Sequence, residues 1–225
     1  MNVNDAPGRH PREGGDPCNY PRTIGQVSWV PAYAGMTLAI VIAAVALGNG
    51  PALAHSGSEH AFSFASGFAH PWTGIDHMLA MVAVGLWAGL NGGRALAAWP
   101  AAFVAVMLAG GALGIAGVPV PLVESGIVAS VIVLGLLVLG AARLPVALGA
   151  SLVAVFAVLH GHAHGAELPS GAAAATYAAG FTFATAMLHA LGLGIAYLCR
   201  SDNGKLIVRG AGAAVAVTGI ALAIV

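Results

Sequence analysis

His70-Pro71-Trp72-Thr73-Gly74-Ile75-Asp76-His77 runs directly into Met78-Leu79-Ala80-Met81-Val82-Ala83-Val84-Gly85-Leu86-Trp87-Ala88. Two imidazoles and a carboxylate thus stand at the mouth of an apolar run able to enter a bilayer. On one α-helix His70 and His77, seven residues apart, share a face, with Asp76 beside them. Pro71 suits a first helical turn, so the helix is expected to start here with His70 at its lip. A carboxylate in a membrane segment costs roughly 2.5–3.5 kcal/mol on insertion scales. A position that tolerates this cost beside two nitrogen ligands is a candidate functional site. The plainer role for Asp76 is a cap or a bond to a neighbouring helix.

Composition sets the class. The 225 residues are 59% hydrophobic and 7% charged, with mean hydropathy +0.88, whereas soluble domains carry roughly 25% charged residues. This reads as an integral membrane protein embedded in a lipid bilayer. Net charge is zero and the Lys and Arg are scattered among loops, which excludes a nucleic-acid surface. Cys18 and Cys199 are too few for a disulfide framework or thiolate metal chemistry. Nine histidines outnumber either charge sign, and all but His10 lie from His55 to His189.

Outward from the opening stretch, residues 1–35 are polar and rich in Pro, Gly and Arg. They are expected to be disordered and foreign to the working protein. From Met36 an apolar core, Thr37 to Leu47, is followed by Gly48-Asn49-Gly50-Pro51 and then by Ala52-Leu53-Ala54, the anatomy of a secretory signal peptide. Residues 36–54 therefore read as a signal peptide cut after Ala54, or as an uncleaved signal anchor, since no basic residue separates Met36 from the core. Cleavage would leave 55–69 as a periplasmic N-terminal arm. His55 would then chelate a divalent ion through amine and imidazole together, with His60 nearby; the alternative is a plain solvated terminus.

The remainder, 70–225, is expected to be a compact all-α bundle of six transmembrane helices, a permease domain. Its apolar segments are 71–90, 95–116, 120–140, 145–163, 172–199 and 205–225, each near the ~20 residues that cross about 30 Å of hydrocarbon. The first, third and fifth connections hold Arg94; Arg143; and Arg200, Lys205 and Arg209, while the second and fourth hold no Lys or Arg. The positive-inside rule puts the odd connections in the cytoplasm, and both termini of the six-helix unit outside. Glycines such as Gly110, Gly111 and Gly114 in the second segment, or Gly192 and Gly194 in the fifth, allow close helix approach.

A second histidine cluster, His160-Gly161-His162-Ala163-His164-Gly165-Ala166-Glu167, ends the fourth segment. If the helix persists to Glu167, His160, His164 and Glu167 share a face at i, i+4, i+7 and His162 points elsewhere. The cluster would lie on the same membrane side as His70. Taken alone, such a run is as easily a loose surface scavenger of metal. His189, mid-segment, is expected deep in the bundle, as a ligand or as a hydrogen-bonding partner of a neighbouring helix. Glu124 stands near the outer start of the third segment, as an interfacial charge or as a ligand. Imidazole and carboxylate without thiolate suit Ni²⁺, Co²⁺, Zn²⁺ or Cu²⁺, and ligand type does not choose among them.

The run His70-Pro-x-x-Gly74-x-Asp76-His77-x-Leu79-Ala80-Met81-x-Ala83-Val84-Gly85-Leu86-Trp87-Ala88 resembles the signature of the HupE/UreJ family of small nickel/cobalt permeases, associated with hydrogenase and urease maturation. The His160–Glu167 run and Leu188-His189-x-x-Gly192 resemble the family's other motifs, and the likeness covers about 36–225. Related nickel/cobalt transporters carry His-x4-Asp-His; here the spacing is His-x5-Asp-His. The resemblance implies secondary import of Ni²⁺ or Co²⁺ across the bacterial inner membrane, with no permanently bound cofactor and no enzymatic step. His70, Asp76 and His77 would be the metal residues. Capture would fall to His55, His60 and His162, handover to His160 and His164, and passage inward would go past His189. A cytoplasmic metallochaperone and a second copy of the chain are the candidate protein partners. Two other classes remain open at this point: an intramembrane Zn-dependent hydrolase using the His/Asp clusters, and a b-type haem protein.

Overall fold

A computed structural model describes residues 63–168 and 172–224. The expected leader at 36–54, the 1–35 stretch, and His55 and His60 lie outside the described residues. Those described are all-helical, with helices α1 (Phe64–Thr73), α2 (Ile75–Asn91), α3 (Ala95–Ile115), α4 (Val123–Leu139), α5 (Val146–Ala166), α6 (Ala172–Leu198) and α7 (Asp202–Leu222).

The opening stretch is not one helix. Helices α1 and α2 meet at 86°, with Gly74 extended at φ −89°, ψ 109° as the C-cap of one and the N-cap of the other. His70 therefore sits in the last turn of α1 and His77 in the first turn of α2, and the expectation of a shared helix face is overturned. Pro71 lies inside α1 rather than in a first turn. It removes an N–H from the ladder just before the break, while the Thr73 hydroxyl donates to the His70 carbonyl at 2.7 Å. Helix α1 starts earlier than expected because Ser63 and Ser66 form a reciprocal capping box. Residues 64–69, which the sequence reading assigned to the N-terminal arm, are thus helical.

Two further boundaries move for local reasons. Ser201 accepts from the Gly204 amide at 3.2 Å and caps α7, so Asp202-Asn203-Gly204 is a first helical turn instead of a loop. Helix α5 runs on through the histidine cluster to Ala166. Among the described residues α3, α5, α6 and α7 are long and apolar enough to cross a membrane, and the bent α1–α2 pair makes a fifth candidate. This is the constitution of a multi-pass membrane protein. Helix α4 has 17 residues, about 25 Å at 1.5 Å per residue, so six full-length crossings overstate what is seen.

Glycine sets the closest packing. A Cβ on Gly161 of α5 would run into the Met107 carbonyl of α3, and one on Gly192 of α6 into the Val82 carbonyl of α2. These approaches seat α5 on α3 and α6 on α2. At the end remote from the histidines, Trp87 and Trp99 stack with centroids 4.0 Å apart, both fully buried. Their indole N–H groups donate to the Ala142 and Val146 carbonyls at 2.8 and 2.9 Å, tying α2 to the α4–α5 connection and α3 to the start of α5. Asn91 adds a bond from its amide to the same Ala142 carbonyl at 3.1 Å.

Candidate metal centre

Three helices deliver the imidazoles. Because α1 turns sharply at Gly74, His70 is brought back over the start of α2, beside His77. Glycine keeps the space there open: a Cβ at residue 74 would stand 3.2 Å from both Asp76 Oδ1 and His77 Nδ1. From α5, His160 and His164, one turn apart, turn inward together. The ring of His164 lies 4.6 Å from that of His70 and 4.4 Å from that of His77, and His77 lies 4.9 Å from His160.

Hydrogen bonds fix how two of these rings are presented. His77 Nδ1 donates to Asp76 Oδ1 at 2.8 Å, and the His77 amide donates to the same oxygen at 2.8 Å. His160 Nδ1 donates to the Phe156 carbonyl at 2.9 Å. Each bond leaves Nε2 as the free lone pair and fixes its direction, the arrangement by which proteins orient metal-ligating histidines. His77 Nε2, His160 Nε2 and both nitrogens of His164 are buried without a protein hydrogen-bond partner. A buried polar atom left unpaired costs about 1–3 kcal/mol, so several together in one place call for a functional explanation.

At the outer edge His70, His164 and Glu167 each offer a ligand atom, all within 4.8 Å of one another. Glu167, the cap of α5, is exposed. Among the described residues His70, His164 and Glu167 are the one group of three whose ligand atoms approach so closely; His164 also stands ring to ring with His77, which in turn stands against His160. His189 is fully buried with neither ring nitrogen partnered. It is separated from His160 by Phe103, whose ring lies 5.1 Å from His189 and 5.5 Å from His160.

Not every expected residue joins. His162 is half-buried and donates from Nε2 to the Val118 carbonyl in the α3–α4 connection at 2.8 Å, away from the cluster as its i+2 position dictates. Glu124 is exposed and lines a separate recess with Leu222 and Ala223 at the end of α7. The sequence reading also missed the aromatic wall. Phe181 packs on His164 at 4.3 Å, Tyr177 on His70 at 5.9 Å, and Phe103 on two histidines. The available signal was the spacing Tyr177, Phe181, Thr185, His189, one residue every four along α6.

This arrangement can hold a divalent ion among imidazoles with a carboxylate behind one of them. Residues 38–222 match the family profile described as HupE / UreJ protein. The chain belongs to the HupE/UreJ family. It is similar to Protein HupE of Rhizobium leguminosarum bv. viciae, 47% identical over 182 residues that cover 80% of this chain and 94% of the relative. No solved structure matches the chain. The resemblance read from His70–Ala88 is thereby established for this HupE/UreJ member across nearly all of the span expected for it.

Proposed function

We propose that this HupE/UreJ member is a secondary transporter that imports a divalent transition metal, Ni²⁺ or Co²⁺, for maturation of a metalloenzyme. The observation that carries the reading is the set of buried, unpartnered imidazole nitrogens on His77, His160 and His164, oriented in part by Asp76 and the Phe156 carbonyl. The ion is cargo, so binding must be loose enough to release it, as in any conducting site. His70, His164 and Glu167 serve as the entry station, His77, His160 and His164 as the next, and His189 as the inward relay. The proposed orientation is supported by Arg143, Arg200, Lys205 and Arg209, which line one cavity at the end of the bundle opposite the histidines. Cations of that kind favour the cytoplasmic side, which turns the histidine end to the periplasm of an inner-membrane protein with both termini outside. On this reading α1–α2 and the short α4 complete six crossings after a signal peptide, and a cytoplasmic metallochaperone receives the metal.

No observation favours the alternatives. Asp76, the carboxylate among these histidines, is engaged by His77 through two bonds instead of standing ready as a base for a zinc-bound water. The imidazoles pack against each other at 4.4–4.9 Å, which leaves no slot for a porphyrin between them. The test is cellular accumulation of ⁶³Ni²⁺ or ⁵⁷Co²⁺ by His77→Ala and Asp76→Ala variants. Both are expected to fall to the level of cells lacking the protein. Accumulation equal to the parent in either metal would overturn the assignment.

A further inference from the structure

The histidine-remote end carries a second constellation that metal passage does not use. Arg143 from the α4–α5 connection, Arg200 from the α6–α7 connection, and Lys205 and Arg209 from α7 line a single cavity of about 270 Å³. These are four of the five Lys and Arg residues among the described residues; the fifth, Arg94, is outside the cavity. The one carboxylate there, Asp202, is already bonded by Lys205 at 3.0 Å. Arg200 rests on the Tyr197 ring at 4.5 Å, Arg209 spends its Nε on the Leu139 carbonyl at 2.7 Å, and Arg143 has no ion pair among the described residues.

Sidedness alone does not explain this. Cations anywhere on the connections satisfy the positive-inside rule, as Arg94 does. Four exposed cations gathered around one hollow against a single carboxylate make that hollow favourable for an anion shared between them. Guanidinium groups present several donors in a planar fork suited to phosphate oxygens. The same cavity is walled by Leu90, Ala196 and Leu206, and Leu206 is half-exposed on α7. A cationic rim over an apolar flank fits a phosphate that carries an acyl chain better than a free one, and basic hollows between helices at the cytoplasmic face bind anionic headgroups.

We propose that this cavity binds the phosphate headgroup of an anionic membrane phospholipid, held by Arg143, Arg200, Lys205 and Arg209. The site is independent of whether the histidines carry metal. The test uses the purified full-length chain, delipidated in detergent, with phosphatidylglycerol and phosphatidylcholine as probes and bound lipid read by native mass spectrometry. The wild type is expected to prefer phosphatidylglycerol. Arg143→Gln/Arg200→Gln is expected to lower that preference roughly tenfold or more, at the scale of about a fivefold effect per cation near anionic lipid. Arg94→Gln is expected to keep it. These arginines make few bonds to the fold, and thermal unfolding in phosphatidylcholine checks that the double variant remains folded. Equal loss in Arg94→Gln, or no preference in the wild type, overturns the site. Displacement of the lipid by glycerol phosphate at comparable concentration overturns the lipid in favour of a soluble anion.

Discussion

At the scale of single residues, His164 is the one that most repays attention. It belongs to the group with His70 and Glu167 and at the same time stands against the ring of His77, which leads on to His160. Both its nitrogens are buried and unpartnered, so no protein bond holds it in one tautomer. On the proposed path His70→Ala touches only the group with Glu167, and His160→Ala only the neighbourhood of His77. His164→Ala is therefore expected to weaken Ni²⁺ binding more than either, by about tenfold or more, the lower end of what loss of an orienting partner costs a metal site. Titration calorimetry on the purified variants measures it, and a His164→Ala affinity no weaker than that of His70→Ala would refute the shared role. His164 was legible as a candidate, because His160 and His164 fall one turn apart. Its double contact was not, because that depends on where α1 is folded back.

At the scale of elements, the turn at Gly74 folds a linear motif back so that its histidines lie on two helices at 86°. Its φ of −89° is open to any residue, so the glycine answers a demand of space and not of conformation. Alanine there brings a methyl group to 3.2 Å from the Asp76–His77 pair, closer than ordinary van der Waals contact. Gly74→Ala is expected to reduce Ni²⁺ uptake several-fold while shifting thermal unfolding by only a few degrees; a parental uptake rate would show that the pair accommodates the methyl. Gly161→Ala is a different case. Its Cβ meets backbone carbonyl at Met107, which cannot rotate away, so α3 and α5 must separate. Overpacking of this kind costs about 1–3 kcal/mol, and unfolding of the solubilised protein should move down accordingly.

At the scale of the molecule, polarity is divided between the two ends. Histidines and Glu167 gather where α1 ends, α2 begins and α5 ends, while four cations gather where α2, α4 and α6 end and α7 begins. Phe103 lies beside His160 and His189, and the stacked, fully buried Trp87 and Trp99 lie towards the cation end, so the interior between the two polar ends is apolar. With Cys18 and Cys199 replaced by Ser, Glu167→Cys is expected to react with a membrane-impermeant maleimide added to spheroplasts. Arg143→Cys is expected to react only after lysis. Labelling of both from the same side would refute the proposed orientation.

The membrane class and the helical content were determined by the sequence by itself. They depend on composition and on runs of apolar residues, properties that a segment keeps whatever it packs against. The ligand candidates were named from residue type, and helical spacing placed His160 and His164 on one face because α5 continues unbroken through both. Only the tertiary structure decided that His70 and His77 meet across a bend instead of along a face, and that His162 is turned to the Val118 carbonyl. It alone decided that Glu124 sits apart and that Phe103, Tyr177 and Phe181 wall the site. The physical reason is that these relations depend on how closely neighbouring helices approach and at what angle. Glycine contacts such as Gly161 on Met107 and Gly192 on Val82 set that approach, and no single segment carries the information for both of its partners.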